Sequence, residues 1–395
     1  MKVLQINKFL KIVGGAETYM FTLSALLEKK GVKVAFWGME DEANKVLNPY
    51  GELAPNLDFK KENQKMRSAK KLSTIIYSRE NQKRLAGVLD EFKPDIVHIH
   101  NYNFQLTTSI LSEIKRRGIK IVHTIHDSQL VCPVHRLYIE HKNEVCTRCL
   151  YGKFYNAVKH KCFDNSRAKS ILGSAESYFA HNIKNAYNKY IDAFISPSKF
   201  FKDKIQPVIE REIVVLPNCV ESKTVDLNLD KENYVLFFGR LSVEKGLNQL
   251  YQLFGNLDYQ LKIVGKGELI PEGYGNIEYL GPKYGTELFD LVAKARFTIH
   301  PSYWYENCPM SIVESLMLGT PVIVANSGGL PEMISDKTGY VIDFFAEDTL
   351  KNLEQILERS YNFSSEEIMN FYQENYGEQK HVEKVLNLYQ RVLAN

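Results

Sequence analysis

Apolar runs separated by polar loops predict an alternation of strands and helices. Residues 3–6 read as a buried strand, residues 16–30 as an amphipathic helix and residues 32–37 as a second strand. A strand, a glycine loop, a helix and a strand form a βαβ unit, which predicts a parallel sheet. The same pattern predicts further strands at 95–100, 119–125, 193–197 and 213–216.

A second alternation starts at residue 234, after a polar stretch at 217–233 that predicts a hinge. Its predicted strands are 234–238, 261–264, 278–281, 297–300 and 322–325. Residues 377–395 carry apolar positions at helical spacing and predict a terminal helix. We therefore predict an α/β chain with domains at 1–217 and 218–376.

Charge divides the chain unevenly. Residues 1–217 carry 35 Lys and Arg against 22 Asp and Glu, whereas residues 218–395 carry 15 against 25. Residues 60–84 alone hold nine basic side chains, which predict either a solvated helix face or a helix on an anionic membrane surface. No aromatic and basic recognition motif is present, so we expect no nucleic-acid partner.

Neither the N-terminus nor any later stretch predicts a membrane segment. The first 15 residues lack a continuous apolar core of the signal-peptide type, and no run approaches 18 apolar residues. We therefore expect a cytoplasmic protein. If residues 60–84 bind a membrane, we expect that surface to be the inner face of the cell membrane.

Two carboxylates, Glu306 and Glu314, stand eight positions apart around a predicted helix start. Asn307 is a suitable N-cap, Pro309 suits the first turn and Gly319 ends the helix. Eight helical residues rise about 12 Å, which is of the order of the distance from sugar to ribose in a nucleotide sugar. A capped surface helix would give the same pattern.

The start of this helix also predicts an anion site, because free amides and the helix dipole favour negative charge. The residues that we expect to border a diphosphate there are Asn307, Cys308, Pro309, Met310 and Ser311.

Two cations, Arg240 and Lys245, follow the predicted strand at 234–238 and could neutralise a diphosphate. Gly14 and Gly15 after the first strand, and Gly265 after the strand at 261–264, would let backbone approach a phosphate. An exposed loop explains the cations equally, and tight turns explain the glycines.

His126 follows the strand at 119–125, at an edge where open α/β sheets bind ligands. It could donate to a sugar hydroxyl or face developing charge, or it could simply hydrogen-bond nearby backbone.

An unperiodic segment at 132–162 holds Cys132, Cys146, Cys149 and Cys162. In a reducing cytoplasm four thiolates predict a structural zinc site. Reduced buried thiols are the alternative, and a histidine among His135, His141 and His160 could replace one cysteine.

Taken together, these features resemble the family-4 retaining glycosyltransferases, which have the GT-B fold. The features that carry the resemblance are, in chain order, Gly14-Gly15, His126, Arg240, Lys245, Gly265, Glu306 and Glu314. The resemblance implies two Rossmann-like domains that face each other across a cleft, with the helix at 377–395 crossing back to the first domain. The cysteine segment belongs to a subset of the family.

The resemblance also implies a reaction. A sugar would pass with retention from a UDP- or GDP-sugar to a glycan or lipid-linked glycan, without a required divalent metal. Arg240 and Lys245 would bind the phosphates, Glu306 the sugar and Glu314 the ribose, with His126 near the transferred sugar. Gly14, Gly15 and Gly265 would lie beside the bound donor.

The setting implied by the resemblance is surface-polysaccharide or lipopolysaccharide assembly. A sugar-nucleotide 2-epimerase on the same fold is the main alternative, and it would need no acceptor. A non-catalytic nucleotide-sugar binder is the other, and it would show no donor turnover.

Overall fold

A computed structural model describes residues 1–57, 74–222 and 230–395. Contacts between these residues divide them into two compact units. The first comprises Met1–His141, Cys146–Leu216 and His381–Asn395, and the second comprises Lys142–Val145 and Pro217–Lys380.

The first unit is built on a sheet in which six described strands are parallel, in the order β2-β1-β3-β4-β7-β8. Its strands are β1 (Lys2–Ile6), β2 (Lys33–Trp37), β3 (Ile96–Ile99), β4 (Lys120–Thr124), β7 (Ala193–Ser196) and β8 (Ile213–Val215). Two short strands, β5 (Tyr138–Ile139) and β6 (Glu144–Val145), lie in the segment between β4 and β7. The four inner strands, β1, β3, β4 and β7, are almost fully buried, as expected for a parallel sheet covered by helices, whereas the edge strands β2 and β8 are partly exposed.

Helices connect these strands. They are α1 (Gly15–Lys29), α2 (Arg79–Phe92), α3 (Ser109–Arg116), α4 (Tyr155–Lys159), α5 (Arg167–Tyr178), α6 (Ala186–Tyr190) and α7 (Lys199–Ile205). The cysteine segment, for which the sequence indicates little periodicity, thus contains a short helix and leads into a longer one.

The second unit has a matching sheet of six described parallel strands, in the order β11-β10-β9-β12-β13-β14. Its strands are β9 (Glu232–Leu241), β10 (Gln260–Gly267), β11 (Ile277–Tyr279), β12 (Ala295–His300), β13 (Val322–Ala325) and β14 (Gly339–Ile342). Its helices are α8 (Leu247–Phe254), α9 (Gly285–Lys294), α10 (Met310–Met317), α11 (Thr349–Glu358) and α12 (Ser365–Asn375). Each unit is therefore a Rossmann-like α/β domain, as the sequence predicts.

A last helix, α13 (Glu378–Ala394), belongs to the first unit from His381 onward. Tyr389 Oη lies 2.6 Å from His98 Nδ1, and Tyr19 Oη lies 3.0 Å from His381 Nε2. Val385 and Leu388 are buried with them. The first unit's core is thus completed by residues from the far end of the chain.

Strand β9 is longer than its apolar run predicts, because it continues through Gly239, Arg240 and Leu241. The extension pairs with β10 in register, with Gly239 opposite Gly265. Gly265 has φ +148°, and a Cβ there would lie 1.8 Å from the Gly239 carbonyl oxygen. Two glycines facing each other let the strand ends stay paired.

Candidate active site

The candidate site lies where the order of the second sheet reverses. From β9 the chain runs outward to β10 and β11, and it then returns to place β12 on the other side of β9. Open α/β sheets bind ligands at the carboxyl ends of strands at such a point. The loops there carry Lys245, after β9, and Glu306, after β12.

Lys245 ends a 3₁₀ turn, Val243–Lys245. The turn lies close to the end of β12, and the next residue must be a glycine to fit there. Gly246 has φ +76°, and a Cβ there would lie 2.0 Å from the Pro301 carbonyl oxygen. The turn aims the ammonium of Lys245 at Glu306, with Nζ 2.5 Å from Oε1. Sequence spacing alone predicts both groups but not this contact.

Glu306 is a buried carboxylate held through one oxygen. Besides Lys245, Ser302 Oγ (2.9 Å) and Trp304 Nε1 (2.7 Å) donate to Oε1. Burial alone would raise the pKa of the Glu306 carboxyl, but Lys245 and these hydrogen bonds bring it below its ordinary value. The carboxylate is therefore ionised at neutral pH.

A glycine loop supports Glu306 from behind. Gly329 N donates to the Glu306 carbonyl oxygen at 2.8 Å. Gly328 has φ +62°, and a Cβ there would lie 2.4 Å from the same oxygen. The backbone of Glu306 is therefore fixed by a contact that a side chain at 328 would disturb.

Arg240 lies at the rim of the site, with 54% of its side chain exposed. It pairs with Glu244, and its guanidinium lies 5.8 Å from the centre of the Trp304 ring. Lys245 Nζ lies 5.9 Å from the same ring. The indole thus sits beside both cations, a role that sequence reasoning missed.

The start of α10 differs from the sequence prediction. The helix begins at Met310 with Pro309, at φ −66° and ψ 132°, in the N-cap position, so Asn307 is not the cap. Asn307 lies in a bend and Cys308 in the loop before the helix, where Asn218 Nδ2 donates to the Cys308 carbonyl oxygen at 2.8 Å. The amides that open the helix therefore belong to Met310 and Ser311.

Ser311 and Lys245 line one small cavity of about 30 Å³, together with Glu306, Gly239 and His300. Ser311 Oγ lies 3.4 Å from His300 Nδ1. Burial, with Lys245 next, lowers the pKa of His300 to about 3, so this ring is neutral. His300 was missed from the sequence, although it is the last residue of β12. The cavity joins the helix start, a cation and an acid at one point.

Glu314 lies one turn into α10, half-buried. Burial raises the pKa of its carboxyl to about 7. No hydrogen bond to this carboxyl is found within the described residues, so nothing there offsets the burial.

Gly14 and Gly15 lie at the start of α1 in the first unit, where Gly14 is the N-cap. Gly14 N donates to Glu17 Oε2 at 2.9 Å, and Asn7 Nδ2 donates to Glu17 Oε1 at 2.9 Å. The buried Glu17 thus ties the glycine loop to the end of β1. Neither Asn7 nor Glu17 was singled out from the sequence.

His126 follows β4 and is half-buried at the end of a hydrogen-bonded chain that begins with the buried Gln5 and His100. His100 Nε2 lies 2.9 Å from Gln5 Oε1, and His100 Nδ1 lies 2.8 Å from His126 Nε2. An amide oxygen only accepts, so His100 carries its proton on Nε2 and accepts at Nδ1 from His126 Nε2–H. His126 is therefore left with its lone pair on Nδ1. Burial lowers the pKa of His126 to about 3, which keeps the ring neutral.

The four predicted zinc ligands are neighbours but do not form a metal site. Cys149 packs with Phe154 and Cys162 in a small apolar cluster. Burial, and then the other three thiols, raise the pKa of Cys149. Across residues 1–57, 74–222 and 230–395, no group of three or more His, Cys, Asp or Glu side chains could hold a metal ion. The zinc prediction for Cys132, Cys146, Cys149 and Cys162 is thus not supported.

The basic stretch at 60–84 lies largely outside the described residues. Within its described part, Arg84 pairs with Glu80 and donates to the Leu53 carbonyl oxygen. None of the described helices has the length and apolar content needed to cross a bilayer.

Two family models match the chain in succession. The model for glycosyltransferase family 4 matches residues 13–223, and the model for glycosyl transferases group 1 matches residues 221–376. An uncharacterized glycosyltransferase of Methanocaldococcus jannaschii is 29% identical over 180 residues, covering 42% of this chain and 51% of that protein. The alignments span about half to two thirds of the length of the first curated relatives.

Solved structures agree over nearly the whole chain. Sucrose-phosphate synthase from Thermosynechococcus elongatus superposes with a TM-score of 0.68 at 15% identity, covering 100% of this chain and 99% of that one. The Anabaena protein HepE in complex with UDP-glucose superposes with a TM-score of 0.61 at 16% identity, covering 99% and 100%. These likenesses show a GT-B fold. Since one model alone matches more than half of the chain, the protein belongs to glycosyltransferase family 4.

Proposed function

We propose that this protein is a retaining glycosyltransferase that moves a hexosyl group from a nucleoside diphosphate sugar to a glycan or lipid-linked glycan. The observation that carries the proposal is the cavity at the sheet's switch point, where Lys245, Glu306 and the start of α10 meet. These groups supply a cation, an anion and free amides, which are the groups that a departing diphosphate and a charged sugar ring need.

The diphosphate would lie against Lys245 and the Met310 and Ser311 amides, with Arg240 at the rim. Leaving-group charge is stabilised best by donors that are already in place before the bond breaks. Lys245 is held in place by Glu306, and Arg240 by Glu244. The positive charges of these two side chains can neutralise the phosphates, so the proposed reaction does not require a metal ion for that purpose.

Glu306 would face the transferred sugar. Its Oε1 accepts three hydrogen bonds, whereas no described residue donates to Oε2. An ionised oxygen without a protein donor suits the sugar hydroxyls and the positive charge that develops on the ring. Glu314, a half-buried acid without a described partner, suits the ribose hydroxyls.

We assign the acceptor side to residues 1–217 and the donor side to residues 218–376. On the acceptor side, the Nδ1 lone pair of His126 can accept from a sugar hydroxyl, and the glycine loop at 14–15 lies at the end of β1. The solved complex of Anabaena HepE with UDP-glucose supports a UDP-sugar as the first donor to test. The setting that we propose is surface-polysaccharide or lipopolysaccharide assembly at the inner face of the membrane.

A thermal-shift screen of UDP- and GDP-sugars, followed by transfer assays with the stabilising donor, tests the proposal. We expect one donor to raise the melting temperature, and the product to keep the anomeric configuration of the donor by NMR. Inversion would contradict retention. Conversion of the donor alone into an epimer would identify the 2-epimerase instead, and stabilisation without turnover would identify a binder.

A further inference from the structure

Helix α5 (Arg167–Tyr178) has its polar side inside and its apolar side in solvent. Its buried residues are small or acidic, and they are Ser170, Gly173, Ser174, Glu176 and Ser177. By contrast, Ile171 is 55% exposed and Tyr178 is 54% exposed. A surface helix of a globular protein normally buries its apolar stripe, so α5 has the reverse arrangement.

Close packing explains how such a helix is held. Ser174 Oγ donates to the Phe154 carbonyl oxygen at 2.9 Å. A Cβ on Gly173 would lie 3.3 Å from both the Pro133 carbonyl oxygen and the Phe163 ring. Because small residues bring α5 against its neighbours, its apolar residues are not needed there for folding.

The exposed apolar residues form one face of the helix. Ile171 and Tyr178 are seven positions apart, which is about two turns, and Arg167 lies one turn before Ile171. The π-helical turn that follows, Phe179–Ile183, adds Ile183 at 62% exposure. We call Arg167, Ile171, Tyr178 and Ile183 the α5 face.

The stretch of sequence that contains the α5 face is strongly basic. Residues 146–190 contain eight Lys and Arg against two Asp and Glu. Of the two acids, Glu176 is buried and Asp164 is paired with Lys169 at 2.7 Å. A second copy of this chain would bring two basic faces together, whereas an anionic lipid surface would attract them.

We propose that the α5 face docks on a bilayer that carries anionic lipids. Ile171, Tyr178 and Ile183 enter the interface, where tyrosine and aliphatic side chains bury their apolar parts. Arg167 and the neighbouring lysines keep their charges at the headgroups. This surface is distinct from residues 60–84, and the proposal does not depend on sugar transfer.

Flotation of the full-length protein with vesicles tests the proposal. We expect binding to phosphatidylcholine vesicles that contain phosphatidylglycerol, weaker binding at high salt, and none to phosphatidylcholine alone. The double variant I171S/Y178S should lower the partition coefficient at least roughly tenfold. R167Q should lower it roughly fivefold and reduce the salt dependence.

The matched control is L47S/Y284S, which also removes one exposed aliphatic and one exposed tyrosine side chain, at 90% and 73% exposure. It should bind as the wild type does, and circular dichroism should show all variants folded. Failure of the wild type to float with anionic vesicles, or equal losses in both double variants, would overturn the proposal. A dimer that I171S/Y178S dissociates, seen by light scattering, would also overturn it, since the α5 face would then bind a second copy.

Discussion

Lys245 Nζ lies 2.5 Å from Glu306 Oε1, so the cation and the acid of the candidate site form an ion pair with each other. The ammonium keeps the acid ionised, and the acid fixes the ammonium beside the start of α10. Neither group can be changed without altering the other.

Glu306→Gln should abolish most sugar transfer and leave the fold intact. The amide has nearly the same shape but no negative charge to oppose charge on the sugar ring, so we expect kcat to fall roughly 100-fold or more. Transfer assays with the confirmed donor and acceptor measure it. Glu354→Gln, at an exposed position of α11, is the control, and an unchanged kcat in Glu306→Gln would refute the assignment.

Lys245→Ala should weaken donor binding, and it should also lower kcat because Glu306 loses the charge that keeps it ionised. Losing one charge-assisted contact to a phosphate corresponds to roughly 10- to 100-fold in Kd. Calorimetric titration with the nucleoside diphosphate sugar measures the change, and Lys351→Ala on the exposed side of α11 controls for net charge. Normal donor affinity in Lys245→Ala would place the diphosphate elsewhere.

Gly328→Ala should impair transfer through Glu306 without touching substrate. A Cβ at φ +62° would meet the Glu306 carbonyl oxygen at 2.4 Å, so the loop must move. Gly285→Ala is the matched control, because Gly285 has φ +58° with nothing within 4 Å of a Cβ. Both variants should lose about 1 kcal/mol of stability from backbone strain, with a further loss in Gly328→Ala from the clash, but only Gly328→Ala should lose kcat. Equal kcat values in the two variants would show that the loop at Gly328 and Gly329 does not affect catalysis.

Glu314 should make stability depend on pH in the mildly acidic range. Its folded pKa, about 7, lies above the ordinary value of 4.5, so the folded protein binds this proton more tightly than the unfolded chain. The free energy of unfolding should therefore fall as pH rises from 4.5 to about 7. Glu314→Gln should flatten that part of the curve by up to roughly 3 kcal/mol, measured by urea unfolding. Identical curves would show that the carboxyl is solvated.

His126 should carry its proton on Nε2. The chain from Gln5 through His100 requires this tautomer, and long-range ¹H–¹⁵N NMR correlations of the imidazole nitrogens report it directly. His100→Phe keeps a stacking ring but removes the acceptor, so His126 should lose its fixed tautomer, with transfer falling roughly tenfold and donor affinity unchanged. A His126 protonated on Nδ1 in the wild type would contradict the hydrogen-bond order.

Sequence patterns predicted the parts of this protein that depend on local periodicity. Buried strands on both sides of β9, and the cations and acids that follow them, are readable because apolar runs and strand ends mark positions at the sheet edge. The pairing of Lys245 with Glu306 is not readable, because it joins loops 61 residues apart.

The errors have physical causes as well. Asn307 is a good N-cap by type, but the helix begins at Met310 with Pro309 as its N-cap, and Asn218, which lies far away in sequence, donates to the carbonyl oxygen of the intervening Cys308. Four cysteines in a short segment predict zinc, but no group that could hold a metal ion is found within the described residues, and Cys149 and Cys162 pack around Phe154. The contact of Trp304 with Arg240 and Lys245 was not predicted, because cation–ring geometry leaves no spacing signature.

Helix α13 has a consequence for the order in which the protein can mature on the ribosome. His98 contacts Tyr389, and Tyr19 contacts His381. Both partners are translated only after the whole of Pro217–Lys380. At about 5–20 residues per second, the first unit stays incomplete for at least several seconds while the second emerges. During that interval the nascent chain therefore exposes the part of the first unit's core that α13 later covers, and chaperones that bind exposed apolar surface should bind it there.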